Sequence, residues 1–311
     1  MLSNALLIVT NVITLLLIMV VGLLLGKRGS LSEPTQNQLA KLLNTIITPC
    51  LILTNMPEKS NEETWKIFAK TFVIMMVILA ASAVLAQVLF RRQPRDLKIT
   101  LRYSIIYGNI GYLGVPLVQA TFGGEAMVYV AVGGAAFNLM VWTHGIWLMG
   151  SGEEKLSSKA ILNPGTLCFL LGVLLMVLGQ RLPEPADKAV SLLAGMNTPL
   201  AMLIVGAQMA SADIRSIFYD KTLYFTSFVR LIFVPVCVLV ALLPLHLERM
   251  LYLTMVILSA CPVATLSSTF SQLYHRDAKT GARAVIQSTI LSLLTLPALT
   301  VLAQILYEFI W

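Results

Sequence analysis

The sequence predicts an all-α integral membrane protein with ten transmembrane helices, arranged as two inverted five-helix repeats. Of its 311 residues 57% are hydrophobic and only 12% are charged, and the mean hydropathy is +0.82. A soluble domain carries about 25% charged residues, so most of this surface is expected to face lipid. Charge-poor stretches long enough to cross a bilayer recur along the whole chain. Helix-breaking residues also recur at matching places in its two halves.

Apolar stretches of roughly 20 residues predict the individual spans, which are numbered here as spans 1–10. They are expected at residues 3–26, 38–57, 71–90, 103–122, 126–150, 160–180, 189–210, 222–245, 250–274 and 284–307. The first repeat is then 1–150 and the second is 151–311, within one membrane domain. The first span has no basic residues ahead of it, so we expect a retained helix rather than a signal peptide.

The distribution of Lys and Arg predicts the orientation of the chain. Fifteen of the 22 basic residues follow odd-numbered spans, six follow even-numbered spans, and Arg230 alone lies within a span. The positive-inside rule places the odd-numbered loops in the cytoplasm. Both termini are therefore expected outside the cell (inner or plasma) membrane. The net charge of +7 is interpreted as this topology signal and not as a nucleic-acid-binding surface.

Proline, glycine and asparagine interrupt two pairs of spans at matching positions. Pro49 in span 2 and Pro199 in span 7 are 150 residues apart, and Asn44 and Asn197 precede them. The breaks in spans 4 and 9 are formed by Gly108, Gly111, Gly114, Pro116, Cys261 and Pro262. Because each repeat holds an odd number of spans, the second repeat is expected to be inverted. Inverted repeats with broken helices point to a transporter whose site lies at the breaks, so we predict an unwound crossover of spans 4 and 9.

The ionisable residues favour an anion as the substrate. All fifteen Asp and Glu lie in loops or at span ends, whereas a proton or cation antiporter would need an acid within the membrane. The N-termini of two half-helices could instead bind a carboxylate. The candidate substrate-binding residues are Asn109, Tyr112, Asn44, Asn138, Thr265, Ser267, Ser268 and Arg230. Two roles stay open for Arg230, which could balance the charge of the substrate or bind the freed carbonyls of span 9.

At these residues the sequence resembles the auxin efflux carrier family, which includes bacterial malonate and malate permease-like members. The most specific match is the Gly-Asn-x-Gly-Tyr-Leu-Gly-x-Pro-Leu stretch of span 4. Weaker matches, in order along the chain, are Asn44 with Pro49, Asn163-Pro164, Pro199 with Val205-Gly206, and Cys261-Pro262-Val263-Ala264.

The resemblance implies a fold similar to sodium/proton antiporters and bile-acid symporters. Helices 1, 2, 6 and 7 would form a scaffold, and helices 3–5 and 8–10 a transport domain that moves as an elevator. The family also implies a homodimer. The long cytoplasmic loop of the plant hormone carriers is missing here, since the middle connector is predicted to span only about 151–159.

The leading hypothesis is a secondary transporter that moves a small organic acid across the lipid bilayer by alternating access. A coupling ion, Na+ or H+, stays open as an alternative, because backbone carbonyls can hold sodium without an acid. A membrane sensor that binds without transporting is the third hypothesis. No Walker A or catalytic motif is found, so neither enzymatic activity nor a resident cofactor is expected. Cys50, Cys168, Cys237 and Cys261 form no CxxC or Cys/His cluster, so no metal site is expected either.

Overall fold

A computed structural model describes residues 2–56, 60–150, 163–210 and 217–310, with side chains from residue 10 onward. Within these ranges the chain is helical and contains no β-strand, so the all-α prediction is confirmed. The helices are α1 (Leu2–Lys27), α2 (33–54), α3 (Glu62–Val88), α4 (Arg95–Ile106), α5 (Ile110–Phe122), α6 (Gly124–Met149), α7 (Pro164–Leu178), α8 (Glu184–Ala210), α9 (Lys221–Leu245), α10 (Arg249–Ala260), α11 (Leu266–Leu273) and α12 (Ala278–Ile310).

Six helices of the described residues are long and apolar enough to cross a bilayer: α1, α3, α6, α8, α9 and α12. They coincide with predicted spans 1, 3, 5, 7, 8 and 10. The shorter apolar helices α5, α7 and α10 fall within predicted spans 4, 6 and 9. Spans 4 and 9 are each divided between two helices, α4 with α5 and α10 with α11.

Several predicted spans begin too late. The third helix begins at Glu62 and not at residue 71, the fourth at Arg95 and not at 103, and the last at Ala278 and not at 284. Hydropathy misses these first turns because they are polar. In α3 the Asn61 side chain caps the helix by accepting the Thr64 N–H at 2.7 Å. The predicted start of span 6 and the connector 151–159 lie outside the described residues.

Wide π-helical turns accompany several prolines of the predicted spans. Thr48, Val115 and Val234 each donate their N–H to the carbonyl five residues earlier, and each directly precedes a proline. Proline has no N–H to offer the preceding turn and clashes with its carbonyl. A widened turn accommodates this within a continuous helix. Pro49 therefore deforms α2 without unwinding it, whereas α8 is interrupted at Met196, three residues before Pro199.

The closest helix packing joins α1 to α8. A Cβ atom on Gly206 would overlap the backbone of Met19, and one on Gly22 would overlap the backbone of Leu203. Helices in membranes commonly approach through small residues in this way. The contact leaves no room for a side chain on either glycine, because the opposing atoms are backbone.

Replacing Gly206 with alanine is expected to lower the melting temperature of the purified protein by about 5 °C or more, since two helix backbones must separate. The matched control is Gly195→Ala in the same helix, where a Cβ meets nothing within 4 Å. It should melt within about 1 °C of the unmodified protein. Equal melting temperatures for the two variants in a thermal unfolding assay would contradict the tight packing.

Candidate substrate site

The two helix breaks lie side by side and bind each other through their backbones. Gly108 and Val263 form an isolated antiparallel β-bridge. The Asn109 N–H donates to the Pro262 carbonyl at 2.6 Å, and the Ala264 N–H donates to the Tyr107 carbonyl at 3.0 Å. Backbone groups freed by unwinding must find partners away from lipid. Here each break supplies partners for the other, and the two together are called the crossover (107–109 and 261–265).

The side chain of Arg230 binds the carbonyl ends of both broken helices. Its Nε donates to the Cys261 carbonyl at 2.8 Å, and its Nη1 lies 3.2 Å from the Ile105 carbonyl and 3.4 Å from that of Ile106. Arg230 is only 3% exposed. No Asp or Glu of the described residues lies within ion-pair distance of it. Two roles were left open for Arg230. The structure contains the hydrogen bonds to freed carbonyls, and these carbonyls belong to both breaks.

Gly108 makes this arrangement possible. A Cβ atom at this position would overlap the Nη2 atom of Arg230, lie 2.8 Å from its Cζ and approach the Cys261 carbonyl to 3.1 Å. The guanidinium therefore lies directly against the Gly108 backbone. Gly108 also borders the cavity described next, so its backbone stands between the charge and the cavity.

A cavity of about 360 Å³ adjoins the crossover. One side is formed by α5, α6 and the crossover, and the other by α2 and the start of α7. Its polar lining consists of Asn44, Thr45, Thr48, Asn109, Tyr112, Asn138, Asn163 and Thr265. Its apolar wall includes Val130, Phe137 and Trp142. Among the described residues no Asp, Glu, Lys, Arg or His side chain lines it.

Three amide groups in the lining have unused donors. Asn109 accepts the Tyr112 N–H through Oδ1 at 3.3 Å, and Asn163 caps α7 by accepting the Thr166 N–H through Oδ1 at 3.0 Å. The Nδ2 atom of Asn163 is buried without a partner. Within the described part of the chain, the Nδ2 atoms of Asn109 and Asn138 have no hydrogen bond either. The cavity therefore offers N–H donors, which suits an acceptor-rich ligand.

The backbone at the start of α5 adds to these donors. The first N–H groups of a helix have no partner within it. The Ile110 N–H bonds the Gly108 carbonyl at 2.9 Å and the Tyr112 N–H bonds the Asn109 side chain. Gly111, between them, lines the cavity, and no acceptor for its N–H is found among the described residues. The N-terminus of α5 therefore presents a positive dipole end to the cavity.

The structure brings together five of the eight candidate substrate-binding residues. Asn44, Asn109, Tyr112, Asn138 and Thr265 line the cavity, and Asn44 Nδ2 donates to Tyr112 Oη at 3.0 Å. Ser267, Ser268 and Arg230 lie outside the lining. Of the residues predicted to break helices, Gly108 and Gly111 border the cavity, whereas Gly114, Pro116, Cys261, Pro262, Pro49 and Pro199 do not.

The excluded candidates have packing partners that explain their position. Ser267 is buried, and its Oγ lies 2.8 Å from Ser104 Oγ, which joins α11 to α4. The Ser268 N–H bonds the Thr265 carbonyl at 3.1 Å, within the first turn of α11. A Cβ on Gly114 would lie 2.8 Å from the Cys261 sulfur, so these two residues pack the breaks together.

Comparison with known proteins identifies the family of this chain. A family model described as a membrane transport protein matches residues 7–159 and 153–300, almost the whole chain. The chain belongs to this family, the auxin efflux carrier family. The two matched segments divide the chain near its middle, which is compatible with two related halves.

Relatives of similar length carry transporter names. A protein of Methanothermobacter thermautotrophicus named "uncharacterized transporter" is 26% identical over 293 residues, covering 92% of this chain and 95% of the relative. An uncharacterized transporter of Escherichia coli is 20% identical over 303 residues, covering 92% and 95%. One of Methanocaldococcus jannaschii is 22% identical over 296 residues, covering 90% and 95%. This protein is accordingly a multi-pass membrane protein of a transporter family, and this supports a transporter rather than an enzyme.

Sequence reasoning missed five polar or aromatic residues of this carrier-family cavity: Thr45, Thr48, Phe137, Trp142 and Asn163. Thr48 donates through Oγ1 to Asn197 Oδ1 at 2.9 Å, which links the paired interruptions of α2 and α8. Signals for two of them were available, because Thr48 directly precedes Pro49 and Asn163 directly precedes Pro164. Thr48 belongs to the predicted interruption at Pro49 and Asn163-Pro164 is a match to the family, but neither is predicted to line a cavity.

Proposed function

We propose that this protein is a secondary transporter that moves a small organic anion, a carboxylate, by alternating access through the cavity beside the crossover. The observation that carries the proposal is the set of unpaired N–H donors in a cavity that no Asp, Glu, Lys, Arg or His side chain of the described residues lines. Asn109 and Asn138 contribute such donors, and Asn163 Nδ2 is a further donor that is buried without a partner. A carboxylate can accept several hydrogen bonds from such donors.

The electrostatics behind the cavity favour the same ligand. The positive end of α5 faces the cavity, and the guanidinium of Arg230, which has no carboxylate partner among the described residues, lies against the far side of Gly108. Two such positive centres raise the affinity for a negative charge in a medium of low dielectric constant. A cation in the same place would be repelled by both.

The shape of the cavity indicates a monocarboxylate with an apolar body. A volume of about 360 Å³ is at the lower end of the range for small-molecule sites. The amide donors of Asn109 and Asn138 share the cavity with an apolar wall of Val130, Phe137 and Trp142. We infer that the carboxylate binds at the donors and the rest of the molecule packs on this wall.

The position of the cavity supports an elevator mechanism. Asn44 and Asn163 approach it from α2 and α7, which belong to the proposed scaffold of spans 1, 2, 6 and 7. Asn109 and Thr265 approach it from the crossover, which belongs to the proposed transport domain of spans 3–5 and 8–10. Sliding of one group past the other would expose the site to each side in turn. The ten-span inverted repeat, a homodimer in the cell membrane and termini on the outer side complete the proposal.

Uptake by the purified full chain in proteoliposomes tests this function. A panel of labelled monocarboxylates is compared with the corresponding neutral amides, which have nearly the same size and shape. We expect saturable uptake of at least one acid and no uptake of its amide. Uptake of both members of a pair at equal rates, or of no carboxylate under any gradient, would contradict the proposal.

A further inference from the structure

The carbonyl ends of the two broken helices form a site where a coupling cation would be expected. The C-terminal end of a helix carries partial negative charge. In transporters with discontinuous helices, such ends and the unwound carbonyls coordinate Na+ or take part in proton binding. Here α4 ends at Ile106 and α10 ends at Ala260, and the carbonyls of Ile105, Ile106 and Cys261 converge on one point.

This position is already occupied by a side chain. The guanidinium of Arg230 donates to the carbonyls of Ile105, Ile106 and Cys261, at distances of 2.8 to 3.4 Å. Arg230 lies within the π-helical turn Val229–Phe233 of α9. This turn precedes Pro235, as the widened turns of α2 and α5 precede Pro49 and Pro116.

The charge of this group is permanent and has no carboxylate partner. Arginine stays protonated in proteins. Within the described residues no acidic side chain lies within 4 Å of Arg230, although it is 3% exposed. Buried charges are normally paired, because an isolated one is costly to bury. The carbonyl oxygens supply part of the compensation, and an anion in the adjacent cavity would supply the rest.

We propose that Arg230 is a built-in counter-cation that takes the place of a coupling ion, so that anion binding and transport require no sodium. This inference rests on the proposed function for its transport part only. Arg230 acts as a positioning residue, since it lies outside the cavity and acts through the Gly108 backbone. Its role is to neutralise the carbonyl ends and to add one positive charge behind the substrate. With a monocarboxylate bound, the charges of the site and ligand cancel.

Thermal unfolding of Arg230→Ala separates the charge of this group from its shape. Guanidinium and urea have nearly the same planar form, but only guanidinium is charged. At equal millimolar concentration, guanidinium is expected to raise the melting temperature of Arg230→Ala by at least about 2 °C, and urea is not. Neither should raise that of the unmodified protein, whose site is filled. An equal rise with urea, or no rise with guanidinium, would overturn the inference.

Arg249→Ala is the matched control for loss of an arginine. Arg249 Nη2 lies 3.4 Å from a carboxylate oxygen of Glu308, at the edge of α10 and away from the crossover. Guanidinium should leave its melting temperature unchanged relative to urea. A rise as large as that of Arg230→Ala would mean that the effect is not specific to the crossover, which overturns the inference.

Two conservative variants keep the inference testable if Arg230→Ala does not fold. Arg230→Lys retains the charge, whereas Arg230→Gln retains a hydrogen-bond donor without charge. We expect carboxylate affinity to fall about tenfold or more in Arg230→Gln and less than about threefold in Arg230→Lys. The opposite order would assign Arg230 to hydrogen bonding alone.

The unmodified protein supplies the last measurement. Carboxylate uptake should change by less than about twofold when external sodium is replaced with potassium or choline, since no dissociable cation is needed. Loss of uptake without sodium would overturn this inference and leave the proposed function intact. If no carboxylate is transported at all, the proposed function fails, and the guanidinium and urea comparison still decides the role of Arg230.

Discussion

Alanine at position 108 is expected to lower carboxylate uptake by about 100-fold or more. The added methyl group would overlap Arg230 Nη2 and lie 2.8 Å from its Cζ. The guanidinium is held by three carbonyls, and the Gly108 backbone is held by its bridge to Val263. Neither can move without breaking these hydrogen bonds, so the crossover must open or Arg230 must leave its carbonyls.

Gly134, another glycine of the same cavity, provides a matched control for this substitution. It also lines the cavity, and a Cβ there meets nothing within 4 Å among the described residues. Gly134→Ala is expected to keep uptake within about threefold of the unmodified protein. Initial uptake rates, normalised to the amount of reconstituted protein, make the comparison. Similar rates for the two variants would show that the contact between Gly108 and Arg230 is not required.

The second large effect is expected from Asn109→Asp, which should abolish carboxylate binding. Aspartate is as good a helix N-cap as asparagine, so the bond to the Tyr112 N–H and the start of α5 should persist. The new carboxylate would stand where the substrate carboxylate is proposed to bind. Repulsion between like charges about 4 Å apart is worth about 4 kcal/mol at an effective dielectric constant of 20, which is a loss of roughly 1,000-fold.

Asn109→Ser separates this repulsion from the loss of the amide. Serine keeps a capping oxygen but has no amide donor and no charge. Its carboxylate affinity should fall by only about tenfold, as expected for one hydrogen bond to a charged group. Ligand-induced thermal stabilisation measures both variants and also reports whether they fold. Equal losses in Asn109→Asp and Asn109→Ser would contradict a substrate carboxylate next to Asn109.

The positions of the helix breaks could be predicted because the residues responsible act locally. Gly108, Pro116 and Pro262 weaken helical geometry wherever they occur, and their clustering within apolar spans is visible in the sequence. The polar first turns of α3 and α4 could not be placed by hydropathy, which detects only the lipid-facing part. The bridge between Gly108 and Val263 depends on how two segments that are distant in the sequence approach each other, and no local sequence pattern predicts it.

Arg230 and Ser267 illustrate the same limit of prediction from sequence, because both are candidates for substrate binding and neither lines the cavity. Arg230 stands out in the sequence as the one basic residue within a span, but its hydrogen bonds to the Ile105 and Cys261 carbonyls depend on how three distant segments pack. The Oγ atom of Ser267 forms a hydrogen bond with that of Ser104, which is 163 residues away in the chain. A hydroxyl group in a broken helix can hydrogen-bond either to a neighbouring helix or to a ligand, and only the packing of the helices decides between the two.

The contact between Gly108 and Arg230 also bears on how this chain can change during evolution. The two residues lie in different halves of the sequence, yet the space for any side chain at one is taken by the other. If a larger residue replaces Gly108 during evolution, the crossover cannot form unless Arg230 is replaced as well. The side-chain volume at position 108 therefore restricts the charge that position 230 can carry. Homologues with a larger residue at position 108 should lack the arginine at position 230, and they should then differ in the ion that they require.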